Sequence, residues 1–261
     1  MKPVFKNTTP PEELTAFESN NPKATWKDLR NFEDVYKNIR TQIISDQYGL
    51  CAYCECKISA SEPLTTRVEH FHAKSDTSDS ALNWALLWSN MIGVCNGGDN
   101  PNLPNFLSPL EENLSCDSHK NHMEQAGKIP KNCEGIILNP LTIIPSPCLF
   151  QFNPTNGFLE PNEQHCKTIN LEDNKFTSVF ELVENTIKIL NLNCDRLAQQ
   201  RLIIFRDIEH NKKQWRVANR DVTLNLISRY LDYQWRPFFT TIRLCLGQVA
   251  EQHLNNIGFQ G

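Results

Sequence analysis

No stretch of this chain approaches the roughly 18 consecutive apolar residues of a membrane-spanning helix, so a spanning protein is not expected. The segment from Met1 to Pro11 is polar and carries prolines, and it lacks the apolar core of a secretory signal. A cytoplasmic location follows, and in that compartment the ten cysteines are expected as thiols or metal ligands rather than disulfides. Nor do they show the spacing of a small secreted disulfide framework. The chain has no excess of positive charge: 26 Lys and Arg stand against 30 Asp and Glu, a net −4. That argues against indiscriminate coating of nucleic acid, though it leaves room for a local basic groove. Internal repeats and low-complexity segments are absent. What is present, 39% hydrophobic and 21% charged residues over 261 positions, suits one large globular domain or two small ones.

Four regions are expected. Residues 1–48 form an extended, Pro-containing lead-in followed by a helix, because Trp26, Leu29, Phe32, Tyr36, Ile39 and Ile43 recur at helical steps behind a Thr25 cap. Residues 49–128 hold most of the cysteine and histidine chemistry. Within them a strand is predicted over 64–70, a short helix over 82–88, a strand over 91–94, a Gly/Pro/Asn loop over 96–105 and a helix from Cys116 to about Ala126. Residues 129–172 read as a small β-rich extension, with strands over 135–138 and 148–152 and a hairpin signal at Asn156-Gly157. Residues 173–261 read as four helices: one from Phe176 to Leu190, one capped by Asn193, one over about 217–232, and one over about 236–255 with Pro237 in its first turn. The fold class is therefore α+β.

Cys51 and Cys54 have the two-residue spacing that lets one tight turn present two sulfurs to the same ion. Cys95 and Cys116 can complete a structural zinc tetrahedron across a loop, because closure entropy grows slowly with loop length. Cys56 is a rival whose one-residue spacing fits less well, and the remaining cysteines sit in apolar or helical contexts suited to packing. Between the two cysteine pairs lies Glu69-His70. At a strand end the two side chains are expected on opposite faces, one toward a metal and one toward a water. A histidine can take the proton of that water, and a divalent metal can neutralise charge on a phosphodiester. Asp117 follows Cys116 directly, so a zinc tether would hold its carboxylate in place.

The order Cys-x2-Cys, acidic-His, Asn, Cys, then Cys-Asp-x2-Lys resembles the HNH, or ββα-metal, endonucleases. The resemblance implies a zinc-stapled ββα-metal core in which His70 is the general base and Asn90 the asparagine that fixes the loop between the strands. Glu69 and Asp117 would be ligands of a catalytic Mg²⁺ or Mn²⁺. Lys120 and Lys74 fall to substrate phosphates. The family usually has Asp before the His and Asn or His at the position of Asp117, which leaves His119 open as a rival ligand or second catalytic histidine. His72 is open as a participant on the side of His70 or as a structural contact. Further along, CAYCE, VEHFHAK, CDSHKN, CEGIILNP, FNPTNG and LNLNCDRLAQQR resemble the Septu-type HNH subunit PtuB, a family with members encoded beside retrons. This likeness covers most of 45–210. It implies antiphage defence, a PtuA-like ABC/SMC-type ATPase as partner, and a nucleic-acid substrate: DNA, or tRNA for a retron-associated member, with the retron RNA–DNA acting indirectly. A zinc-binding interaction module with an inert metal site is the rival reading. A third, a small-molecule metallohydrolase, would require a closed pocket. Between 196 and 243, ten basic residues against four acids point to a phosphate-tracking surface, a docking site, or simply solvated helix faces.

Overall fold

The computed structural model describes residues 1–79, 81–99, 110–232 and 235–259. It has the mixed helix-and-small-sheet character expected. The lead-in is not wholly extended: helix α1 (Glu12–Asn20), with Glu12 and Glu13 in its first turn, buries Leu14 and Phe17. The helix expected over 26–48 is two helices, α2 (Trp26–Arg30) and α3 (Glu33–Asp46). Thr25 caps α2 as the sequence predicts, with Asp28 reaching back to the Thr25 N–H. The break at Phe32 lets Trp26 and Leu29 join Ile39 and Ile43 in one apolar cluster with Leu86, Trp88 and Met91.

Strands β1 (Thr66–His70) and β2 (Met91–Cys95) pair antiparallel, with His70 opposite Met91 and Thr66 opposite Cys95. α3 covers β2 at Gly93, where an added Cβ would meet Ile43 Cγ2 at 3.1 Å and Gln47 Nε2 at 3.2 Å. The predicted 82–88 helix is absent. Asn83 spends its side chain on the Pro22 and Ala24 carbonyls, and its own carbonyl closes a single turn with Leu86 and Leu87, followed by a 3-10 turn at Trp88–Asn90. Of the predicted 96–105 loop, 96–99 lie in a turn and 100–105 fall outside the described residues. Helix α4 (Cys116–Gln125) then runs against β2, ending before Gly127 as predicted.

The hairpin of β3 (Phe150–Phe152) and β4 (Leu159–Pro161) turns through Asn156-Gly157, as the dipeptide predicted. Residues 135–138 form no strand beyond an isolated bridge of Glu134 to Ile137. Their backbone groups are satisfied by a helix instead, Leu138 N–H by Thr186 Oγ1 and Ile136 C=O by Asn185. After α5 (Glu163–Thr168), the last third is helical: α6 (Val179–Ile189), α7 (Asp195–Val217), α8 (Val222–Tyr230), α9 (Phe239–Leu246) and α10 (Gln248–Asn256). The cap of α7 is Cys194, while Asn193 bonds both backbone groups of Leu159 and fastens the hairpin to the helix. The helix expected over 217–232 starts late, at an Asp221 cap. That expected over 236–255 is divided at Gly247, whose φ is +58°, and Pro237 precedes it rather than sitting within its first turn. Among the described residues no helix is long and apolar enough to cross a membrane.

Candidate active site and metal centre

Gly49, at φ +69°, closes α3 with its N–H on Ile44 C=O and delivers the chain to a tight turn. There Glu55 N–H returns to Cys51 C=O, and Cys51 N–H to Cys56 C=O. Cys51 Sγ lies 3.9 Å from Cys116 Sγ, and Cys54 Sγ lies 3.7 Å from Cys95 Sγ. A zinc–sulfur bond of about 2.3 Å at the tetrahedral angle separates neighbouring sulfurs by about 3.8 Å, so these thiols fit zinc. Cys56 is closer to the cluster than its spacing suggested: the sulfurs of Cys51, Cys54, Cys56 and Cys95 all lie within 4.8 Å of one another. Five thiols thus meet where a tetrahedron takes four, with half-buried Cys56 and fully buried Cys116 as rivals for the last place. Their ionisation is shared unevenly. Hydrogen bonding from Cys116 brings Cys95 down to about 5, while burial pushes Cys116 itself up. Against its burial, hydrogen bonding from Cys116 and Cys54 also holds Cys51 down, so two of the sulfurs favour the thiolate form that a metal ligand set requires.

Positive charge stands beside the sulfurs. Arg196 donates to Ser115 Oγ at 2.8 Å; burial opposes its charge, and Cys194, Cys95 and Cys54 more than offset it. Arg201 is buried on the same helix, and Arg243 is buried against Glu251. Three of the ten basic residues of 196–243 therefore serve the interior, which weakens the phosphate-tracking reading of that segment.

The second feature is a cavity of about 140 Å³ lined by Glu69 and His70 of β1, Ala73, Lys74 and Ser75 of the following loop, and Asp117, Lys120, Asn121 and Glu124 of α4. Glu69 and His70 were expected on opposite faces, yet both line this cavity, since His70 ends the strand and the alternation stops with it. His70 Nε2 lies 3.0 Å from Ala85 C=O. A carbonyl only accepts, so Nε2 carries the proton and Nδ1 holds a bare lone pair, buried and without a partner. The edge of Trp26 packs on the ring at 4.5 Å. Burial and the nearby Lys74 charge push His70 down to about 3, which keeps the ring neutral.

Asp117 behaves oppositely: burial and the neighbouring Glu69 carboxylate push it up to about 8, against Arg67 and Lys120. Buried Glu69 and half-buried Asp117 set two carboxylates close together, a donor set that fits a divalent cation. Lys120 already supplies part of that charge. Its ammonium donates to Glu69 Oε1 at 2.6 Å and to the carbonyls of His70 and Phe71, and pairs with Glu124 at 3.1 Å. Burial opposes this charge and Glu69 raises it. The expectation that Lys120 reaches a phosphate is corrected accordingly: the side chain is buried and its donors are committed. Lys74 is exposed at the cavity mouth.

Asn90 accepts the His72 N–H at 2.7 Å and donates to the carbonyls of His72 and Trp84, both at 2.9 Å, tying together the ends of the loop between the strands. His72 leaves the side of His70. Its ring nitrogens face Glu134 at 3.0 Å and Asp76 at 2.7 Å, and it stacks on Trp84 at 3.7 Å. His119 does not line the cavity either; its Nδ1 lies 2.8 Å from Ile189 C=O on α6. Between the rivals at this position, only Asp117 lines the cavity. Sequence reasoning passed over Glu124 and Arg67, which reach Lys120 and Asp117. Both carried a signal: Glu124 is four residues past Lys120 on one helix, and Arg67 is two before Glu69 on one strand.

No protein-family model matches the chain. A protein of Escherichia coli named "Retron Ec83 putative HNH endonuclease" is 40% identical over 204 residues, which span 77% of this chain and 78% of that protein. The chain belongs to the retron HNH endonuclease family. In this chain the cavity places the Glu69-His70 pair beside α4, and the adjacent positions Cys116 and Asp117 link it to the thiol cluster.

Proposed function

We propose that this protein is a metal-dependent HNH endonuclease that hydrolyses phosphodiester bonds of nucleic acid in an antiphage defence system of the Septu/PtuB type. The observation that carries this reading is His70, locked by Ala85 as the tautomer whose Nδ1 is bare and unpartnered, in a cavity lined also by Glu69 and Asp117. In this reading His70 Nδ1 takes the proton of the attacking water, and the Ala85 carbonyl steadies the imidazolium that results. Glu69 and Asp117 would hold Mg²⁺ or Mn²⁺, which would offset charge on the phosphate and the leaving oxygen. Arg67, 3.5 Å from Asp117, keeps that carboxylate oriented. Asn90 holds the loop that carries Ala85. The thiols would hold zinc, which, with Cys116 next to Asp117, would fix α4 against β2. A PtuA-like ATPase is the proposed partner, because an unrestrained nuclease would damage its host.

A His70→Ala variant should keep its fold and its zinc and lose cleavage of plasmid, phage DNA or total tRNA with Mg²⁺, measured with and without the ATPase. Cleavage at the wild-type rate would remove His70 from the mechanism. One observation favours the inert-module reading: Lys120 sits on Glu69 where a cation would bind. That reading requires His70→Ala and wild type to behave alike in phage protection.

A further inference from the structure

A groove of about 890 Å³ lies between the α1–α2 segment and the loop linking β1 to β2. Its size falls within the roughly 300–1,000 Å³ typical of ligand sites. Its lining includes the apolar Trp26, Leu82, Trp84 and Ala85 together with Lys23 and Lys27. Lys74 and Ser75 line both this groove and the Glu69–His70–Asp117 cavity, so the two are neighbours. The contact with His70 is twofold: the Ala85 carbonyl fixes its Nε2, and Trp26 packs on its ring.

The charges of the groove are not equally available. Asp76 is turned to His72 and the Ser78 N–H, and Asp79 to the Ala81 N–H; both keep their charge, so with Glu18 the lining holds three acids against its three lysines. Lys23, Lys27 and Lys74 are exposed and form no ion pair among the described residues. Trp84, stacked on one face by His72, has a buried indole N–H with no acceptor. Unpaired ammonium groups around an apolar aromatic recess suit a ligand with backbone phosphates and exposed base faces. A duplex hides its base faces in its own stack and cannot offer them to such a recess.

We infer that this groove binds a single-stranded stretch of nucleic acid adjoining the scissile phosphate. Unstacked bases rest on Trp84 and Leu82, and phosphates lie against Lys23, Lys27 and Lys74. The inference names the substrate class of the proposed active site and rests on that reading. It makes Lys23, Lys27 and Leu82 substrate-binding residues remote from the HNH motif.

The test measures binding of short labelled oligonucleotides, single-stranded DNA, single-stranded RNA and the matching DNA duplex, by the full-length His70→Ala protein. This parent should prefer a single strand to the duplex, and the DNA and RNA arms show which sugar it favours. Adding Lys23→Glu with Lys27→Glu should weaken single-strand binding by about tenfold or more and reduce the salt slope by about 1.4, the value for two phosphate contacts on a single strand. Adding Leu82→Asp, a change at an exposed position, should weaken binding with the salt slope unchanged. Circular dichroism and zinc content check that each variant is folded. Equal affinity for strand and duplex, no binding by the parent, or parental affinity in the folded lysine variant overturns the inference. Failure of the hydrolytic reading shows separately, as cleavage by the His70→Ala protein at the wild-type rate, whatever the binding results.

Discussion

At the scale of single residues, Cys116 is where scaffold and chemistry meet. Its φ of +54° is a left-handed conformation that costs a non-glycine residue about 1 kcal/mol or more, and it starts α4 with a thiol on one side of the helix and Asp117 next in line. A metal bond to its sulfur gives that conformation a reason. Cys116→Ser should therefore lose stoichiometric zinc and melt earlier, whereas Cys56→Ser should retain one equivalent, read by elemental analysis and thermal melts; the reverse order would make Cys56 the fourth ligand. The CxxC pair was legible in the sequence because two sulfurs of one turn follow from local geometry. Cys56 was legible only as a poorly spaced rival, because it reaches them through Glu55 at φ +65°, a left-handed residue that side-chain spacing does not announce. Lys120 was legible as a cation near the site but not as a buried one. The sequence reveals its charge, but only packing shows that Glu69 and Glu124 surround it.

At the scale of elements, the loop between β1 and β2 shapes the candidate site with no regular structure beyond the 3-10 turn at Trp88–Asn90. Three hydrogen bonds converge on Asn90, at a net worth of about 1 kcal/mol each. Asn90→Ala should lower unfolding stability by about 3 kcal/mol in denaturant titrations and slow cleavage, with zinc content kept. A loss under about 0.5 kcal/mol would show that other contacts hold the loop. Further along, the Ser78 backbone N–H and the His72 ring hold the Asp76 carboxyl down, from 3.8 to about 2. A depressed acid contributes stability that is complete above its unfolded pKa and vanishes as pH falls through its folded one. Asp76→Asn should therefore flatten the melting temperature against pH between about 4 and 2; identical acid limbs in variant and wild type would rule this contribution out. Periodicity showed both strands of the core and the helix after Cys116, because an apolar run and a Gly stop are local features. It missed the breaks at Phe32 and Gly247, since an apolar period continues across a break that only the backbone conformation shows.

At the scale of the molecule, the largest apolar cluster takes in Cys51, Cys54, Cys95 and Cys116 and runs on through α6 to Leu197 of α7, while a second gathers α8, α9 and α10. The thiols tie the turn after α3, the end of β2 and the start of α4 to that first core. Removing zinc with a strong chelator should speed amide exchange at 51–56, 93–97 and 115–120 and lower the melting temperature, with much smaller changes in α8 to α10. Uniform exchange across the chain would mean that the two clusters unfold as one. α7 bridges both clusters, with Leu197 in the first and Ile208 in the second, and its inward-facing Arg196 and Arg201 put positive charge near the thiolates.

The sequence by itself determined the class of fold, the CxxC turn, the acidic-His pair and the family, because each depends on residues close together or on a pattern repeated in order along the chain. The tertiary structure decided which groups share a cavity. Asp117 lies 48 residues from Glu69, and only the packing of α4 on β2 brings their carboxylates together and excludes His119. The state of His70 was decided in the same way. Its tautomer depends on the carbonyl of Ala85, and its neutrality on burial and Lys74. Both are properties of the surroundings, which a linear chain does not display until it folds.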